Sequence, residues 1–185
     1  MDIEFRNPKI YLIGGKAKHG KDTFSSFLKE VYENHGKKII VTQYSKYIKY
    51  YAREMTGWDL SEETKPRELL QKLGTDIIRE KLKKDDLFIK RMIDDIDIFS
   101  YFYDAIIISD VRFKKEIDDL RKVFPDAIAM HINRPNFDNG LTEEQKKHKT
   151  EIDLDDYNKF DEEIVNTTFE KLKETAEYIY NKYEG

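Results

Sequence analysis

The stretch "KIYLIGGKAKHGKDTF", residues 9–24, decides how this chain is read. A β-branched and apolar run from Ile10 to Ile13 leads into Gly15-x4-Gly20-Lys21. An amphipathic stripe of Phe24, Phe27, Leu28 and Val31 follows. In the order strand, glycine-framed loop, helix, the loop's backbone N–H groups and the helix N-terminal dipole converge on an anion. The spacing therefore predicts a phosphate loop. Gly15, Lys16, Ala17, Lys18, His19, Gly20, Lys21, Asp22 and Thr23 are the candidate ATP-binding positions, with Lys21 reaching the β- and γ-phosphates.

Such a loop usually continues with Ser or Thr, whose hydroxyl helps to hold Mg²⁺. Here Asp22 stands first and Thr23 follows. As a first-turn acid, Asp22 complements the helix dipole. Its carboxylate can also hold the water shell that magnesium keeps. Both readings are open at the level of sequence.

Four further apolar runs lie downstream: "KKIIVTQY" (37–44), "AIIISD" (105–110), "AIAMHINR" (127–134) and "EEIVNTT" (162–168). Continuous rather than alternating runs suit strands covered on both faces. Helical periods separate them: Leu69, Leu70, Leu73, Ile77 and Ile78; Ile117 and Leu120; and Phe169, Leu172, Ala176, Ile179 and Tyr183, with Thr167 or Thr168 as N-cap. The alternation predicts an α/β fold with a largely parallel sheet. Two stretches interrupt it: the aromatic, mostly helical 45–104 and the polar 135–161.

The 185 residues suggest one domain with a real core. With 33 Lys+Arg against 37 Asp+Glu, the net charge of −4 argues against a nucleic-acid polymer or a membrane surface as partner. The absence of cysteine excludes disulfides and thiolate metal sites. Charges fill the N-terminal "MDIEFRNPKI" where a secretory leader needs an apolar run, so a cytoplasmic protein, monomer or homodimer, is expected. The acidic aromatic stretches 94–104 and 151–163 read as amphipathic surfaces rather than metal sites.

The combination G-x4-G-K-D-T resembles the deoxynucleoside monophosphate kinases of bacteriophages and their bacterial relatives. Metazoan-type phosphomevalonate kinases also carry Gly-Lys-Asp in this loop. Four further segments fit the first family better. "YSKYIKYYARE" (44–54) looks like its post-strand segment, with Lys49 as the matching lysine, and "RELLQKLGTDIIRE" (67–80) resembles its R-x2-L-Q-x2-G-T-x3-R helix. "ISDVRFKKE" (108–116) matches D-V-R-F-x2-E, and "HKTE" (148–151) matches H-x-[ST]-E. Two departures stand out. Ser45, Lys46 and Tyr47 replace an Ala-Asp-Pro common in the family, and 135–155 carries Lys146, Lys147 and Lys149 in place of arginines.

The resemblance covers residues 9 to about 155. It implies one P-loop kinase domain over 1–185, built on a five-stranded parallel sheet flanked by helices. A helical acceptor-binding insertion is expected over about 45–104 and a lid over about 135–155. The implied activity is transfer of phosphate from ATP, with Mg²⁺, to a deoxynucleoside 5′-monophosphate, giving the diphosphate. A phosphomevalonate kinase-like activity is the enzymatic alternative, though its acceptor has no base for Gln71 to read. A nucleotide-binding switch is the non-catalytic one, though neither N-K-x-D nor a post-strand D-x2-G is present.

Phosphoryl transfer asks for positioning and charge neutralisation more than for covalent chemistry. Asp110 ends the third apolar run and so projects at the carboxyl edge of the sheet, where open α/β folds bind ligands. It is a candidate for substrate binding and, with Asp22 and Thr23, for the metal through water. Arg112 can clamp phosphate bidentately, unless it simply pairs with Glu116 one turn on. Arg134 opens the expected lid and, with Lys21 and Arg112, completes the candidate catalytic cations. Taken alone, helix 67–80 reads as a solvated face partnered by Glu68 and Glu80. The resemblance assigns Arg67, Gln71, Thr75 and Arg79 to the acceptor, along with Lys49. Tyr44 and Tyr47 are candidates to stack on a base. His148 is expected to be structural, bonded to Glu151.

Overall fold

The computed structural model describes residues 3–184. The strands are β1 (Lys9–Gly14), β2 (Ile39–Thr42), β3 (Ala105–Val111), β4 (Ile128–Asn133) and β5 (Glu162–Val165). They form one sheet in the order β2-β3-β1-β4-β5, with every pair parallel. Each expected strand is present. The two edge strands, β2 and β5, have four residues each and are shorter than their apolar runs. An edge is paired on one side only, and a short one offers little to a foreign chain.

The apolar runs are continuous because both faces are covered. Ile10, Leu12, Ile106, Ile108 and Ala129 point into one core, and Tyr11, Ile13, Ile107, Ile128 and Met130 into the other. α1 (Lys21–Asn34) and α8 (Phe169–Glu184) close the second face with Phe24, Leu28, Val31, Leu172, Ala176 and Ile179. Phe24 is fully buried, and trimming such a ring to Ala costs about 3–5 kcal/mol. Thr168 caps α8, its Oγ1 accepting the backbone N–H of Lys171 at 3.1 Å.

The first face is covered by α2 (Lys46–Thr56), α4 (Leu87–Phe99) and α5 (Lys114–Val123), which supply Ile48, Ala52, Met92, Ile96, Ile117 and Leu120, with the half-buried Leu69 and Leu70 of α3 (Arg67–Gln71) packed against them. α3 runs on into wide π-helical turns over Lys72–Lys81. The wider turn breaks the 3.6-residue period, so Ile77 leaves the expected stripe and is exposed while Leu73 and Ile78 stay buried. Gly74 lets this segment approach α2, since a Cβ there would stand 2.7 Å from Ile48 Cδ1. Phe169 also leaves its stripe, lying exposed at the first position of α8.

Two short helices, α6 (Glu143–Lys146) and α7 (Lys149–Ile152), interrupt the polar stretch between β4 and β5. Among the described residues no helix is long and apolar enough to cross a membrane. Parallel strands place all five carboxyl ends on one side. The loop after β1 therefore meets Gln43, Asp110, Arg112, Arg134 and Asn166 along a single edge.

Candidate active site

The loop between β1 and α1 is held open by its glycines and by its neighbours. Gly15 has φ +138, and a Cβ there would lie 2.4 Å from the carbonyl oxygen of Ile132. Gly20 has φ +101 and backs onto Asn166, whose Nδ2 donates to the carbonyl of His19 at 2.9 Å. Lys18 takes a left-handed conformation at φ 61 and is exposed. His19 is buried. Its Nδ1 accepts the backbone N–H of Arg134 at 3.1 Å, so the ring is neutral with its proton on Nε2. Burial and the charges of Lys21 and Lys16 lower its pKa accordingly. Through His19 and Asn166 the loop is pinned to the ends of β4 and β5.

Lys21 turns back into the loop. Its Nζ donates to the carbonyls of Gly15 and Lys16, both at 2.8 Å. Burial and then the adjacent Arg112 push this ammonium down to about 7. Arg112, from the end of β3, donates to the same Gly15 carbonyl at 3.1 Å and to the Glu151 carboxylate at 2.8 Å. Two cations from separate elements thus converge on one backbone oxygen. Ala17 gives its backbone N–H to Glu151 at 2.9 Å, and Lys16 donates to Asp155 at 3.0 Å.

Two clefts flank this point. One of about 580 Å³ is lined by Lys16, His19, Arg134, Phe137, Lys146 and Glu151 among others, and the guanidinium of Arg134 lies 3.9 Å from the Phe137 ring centroid. The other, of about 330 Å³, is lined by Thr75, Arg79, Ile89, Phe113, Glu116 and Lys149 among others. Arg79 is clamped there. It donates to Glu116 at 3.1 Å and to the carbonyl of Gly74 at 2.8 Å, and it lies between the rings of Phe88 and Phe113.

Asp22 occupies the first turn of α1 and is exposed, its carboxylate accepting only a long 3.4 Å contact from Ser109 Oγ. No side chain caps this helix start, so Asp22 is not an N-cap. Thr23 follows it, half-buried. Asp110 uses one carboxylate oxygen for the N–H of Tyr44 at 2.7 Å and the other for that of Ser45 at 2.9 Å, tying β3 to the turn before α2. Each oxygen retains a lone pair for a water. Among the described residues no group of three or more His, Asp or Glu is placed to hold a metal. Asp22, Thr23 and Asp110 offer oxygen donors only, the ligand type that Mg²⁺ takes.

The remaining sequence candidates scatter. Tyr44 presents no ring to a ligand: it is 3% exposed and its hydroxyl donates to the carbonyl of Glu116 at 2.9 Å. Tyr47 spends its hydroxyl on Asp95 at 2.6 Å. Lys49, half-buried, donates to Gln43 Oε1 at 2.5 Å, and burial, followed by the charge of Lys65, lowers its pKa. Arg67 faces solvent and pairs with Glu62 at 3.3 Å, while Gln71 ends α3 half-buried. Thr75 is buried on the wall of the second cleft.

Two pairings that the sequence offered, Arg112 with Glu116 as the alternative to a phosphate clamp and His148 with Glu151, are not the ones made by these side chains. The Arg112 side chain passes over Glu116 for Glu151, leaving only its backbone N–H on Glu116 at 2.8 Å, and Arg79 takes the Glu116 carboxylate. The His148 side chain bonds Thr150 rather than the Glu151 carboxylate, capping α7, while the Glu151 backbone N–H donates to the His148 carbonyl at 2.8 Å. Glu151, Glu116, Phe113, Ser109 and Asn166 stand at the site without having been singled out as site residues. Glu116 and Glu151 do lie inside the D-V-R-F-x2-E and H-x-[ST]-E stretches. The position of Asn166 directly after an apolar run was the signal that could have found it.

A family model described as deoxynucleotide monophosphate kinase matches residues 31–176 of the chain. The phosphate loop lies upstream of that match. Among solved structures, an unliganded sugar kinase from a Janibacter species has 14% identity and a TM-score of 0.55, covering 94% of this chain and 95% of its own. The APS kinase of Mycobacterium tuberculosis, solved with AMPPNP and APS, has 10% identity and a TM-score of 0.53, covering 96% of this chain and 99% of its own. These likenesses carry the fold alone. No curated protein shows significant similarity.

Proposed function

The chain belongs to the deoxynucleotide monophosphate kinase family and is a phosphotransferase acting on such nucleotides with ATP, and on that premise we propose how its residues divide the work. The first cleft and the loop 15–23 take ATP. The second cleft takes the acceptor monophosphate, with Arg79 and Thr75 on its wall. The reaction occurs between them, beside Lys21 and Arg112. The observation that carries this reading is the meeting of those two cations at the Gly15 carbonyl, at 2.8 and 3.1 Å.

In this reading the loop amides and the N-terminus of α1 hold the donor phosphates. Lys21 leaves its two carbonyls for the phosphate oxygens, and Arg112 neutralises charge on the group in transit. Arg134 approaches from the other wall of the first cleft. Asp22, Thr23 and Asp110 would hold Mg²⁺ through its waters, and the ion would supply positive charge to offset that of the donor phosphates. The acceptor phosphate is already anionic at neutral pH, so no general base is required. Residues 135–155 act as a lid that excludes water, so that ATP is not simply hydrolysed.

The test is ADP release with ATP and Mg²⁺ against the four deoxynucleoside monophosphates, their ribose counterparts and phosphomevalonate. Strong stimulation by one or more deoxynucleotides, lost in Arg79→Ala, is expected. Stimulation by deoxynucleotides that survives Arg79→Ala would move the acceptor out of the second cleft. Stimulation by phosphomevalonate alone would overturn the assignment of the acceptor.

A further inference from the structure

We propose that Glu151 is a stand-in for phosphate: in the nucleotide-free enzyme its carboxylate fills the anion position of the loop, and ATP binds by displacing it. The inference rests on the reading of loop 15–23 as the ATP site.

Glu151 comes from α7, far along the chain, yet both of its carboxylate oxygens are spent on the phosphate machinery. Oε2 accepts the Ala17 N–H at 2.9 Å and Oε1 accepts Arg112 Nη1 at 2.8 Å. The side chain is 9% exposed. Its charge is also felt by Lys21, where it favours the ammonium. One loop amide, one guanidinium and one lysine around an anionic oxygen pair form the donor set that a terminal phosphate would engage.

The same segment makes further attachments. Arg112 Nη1 also donates to the Thr150 carbonyl at 3.3 Å, and Asp155 holds Lys16 at 3.0 Å. Without an anion, the part-buried Ala17 N–H would lack this partner and Arg112 would face only carbonyl oxygens, and Glu151 supplies the negative charge internally. A phosphate group and the Glu151 carboxylate cannot occupy that position together. Nucleotide binding therefore releases Arg112 from Glu151 at the moment the phosphate arrives, and leaves the 149–155 segment to close over the bound phosphates as part of the lid.

The experiment compares wild type, Glu151→Gln and Glu151→Ala by calorimetry with two probes, a non-hydrolysable ATP analogue and inorganic triphosphate, both with Mg²⁺. Thermal melts check that each variant is folded, and the near-isosteric Gln covers the case in which Ala loosens α7. Both probes should bind the variants about tenfold more tightly, the scale of one charge-assisted hydrogen bond released from competition. Unchanged or weaker binding overturns the stand-in. So does a lower kcat with unchanged analogue affinity, which would make Glu151 a positioning residue for Arg112. Wild type that binds neither probe would remove the ATP-site reading and this proposal together. Wild type that binds, with variants indistinguishable from it, removes this proposal alone.

Discussion

Arg79 and Glu116 meet at 3.1 Å on the wall of the second cleft, and each is held in place by groups other than its partner. The guanidinium lies 5.0 Å from the Phe88 ring centroid and 4.4 Å from that of Phe113. The second Glu116 oxygen takes the backbone N–H groups of Arg112 at 2.8 Å and Phe113 at 3.1 Å. One carboxylate thus fixes an arginine facing the second cleft and the turn that presents Arg112. Burial works against both charges, lowering the pKa of Arg79 and raising that of Glu116 to about 7.

Removing Glu116 leaves Arg79 unpaired in a poorly solvated place, so Glu116→Ala should destabilise the fold by about 3 kcal/mol in urea at pH 7.5. Glu116→Gln should cost less. The pH dependence has a definite sign. Between 4.5, its ordinary value, and about 7, the folded Glu116 holds a proton that the unfolded chain has lost. Its contribution is therefore fully present below about 4.5 and is lost as pH rises to 7. The stability of wild type relative to Glu116→Gln should fall across that window, by up to about 3 kcal/mol, and level off above it. A flat difference would mean that the carboxyl is ionised throughout.

Lys21 predicts proton uptake on binding. With its pKa lowered to about 7 in the free enzyme, it is mostly neutral at pH 8. Phosphate oxygens favour the ammonium, so ATP binding at pH 8 should take up close to one proton, and affinity should decline from pH 7 to 9. Calorimetry in buffers of different ionisation heat measures this directly. No uptake at pH 8 would show that the two loop carbonyls already keep Lys21 charged.

Asp22 has no capping bond to lose. Asp22→Ser should leave stability within about 0.5 kcal/mol and restore the hydroxyl usual at this position of a phosphate loop. Activity should persist with a changed Mg²⁺ requirement, whereas Asp22→Ala should need markedly more Mg²⁺ for half-maximal ADP release. A serine variant that fails to fold would make the aspartate structural.

Gly15 has no room for a side chain. Gly15→Ala combines φ +138 with a Cβ 2.4 Å from a backbone oxygen of β4, so the loop must shift. A loss of about 2 kcal/mol or more is expected, together with loss of binding to an ATP analogue. A variant with wild-type melting and wild-type binding would show that β4 yields instead.

The sheet could be read in the sequence because burial on two faces writes a continuous apolar run, and five such runs gave five parallel strands. The glycine-framed loop was readable for a similar local reason: Gly15 and Gly20 take positive φ and Lys21 follows at once, all within seven residues. The winding of 72–81 was not: an apolar period of 3.6 reads as an α-helix, and nothing in the residues marks the wider π-helical turns. Nor was the choice of partners among like charges.

Arg112 had Glu116 four residues away and chose Glu151, thirty-nine residues along the chain, while Glu116 went to Arg79. Sequence determined the five strands, the glycine-framed loop and the cations beside it, since these follow from periodicity and local conformation. Only the tertiary structure decided which carboxylate meets which cation and which tyrosine is core. Those outcomes depend on distances and burial between segments that the chain brings together only when it folds.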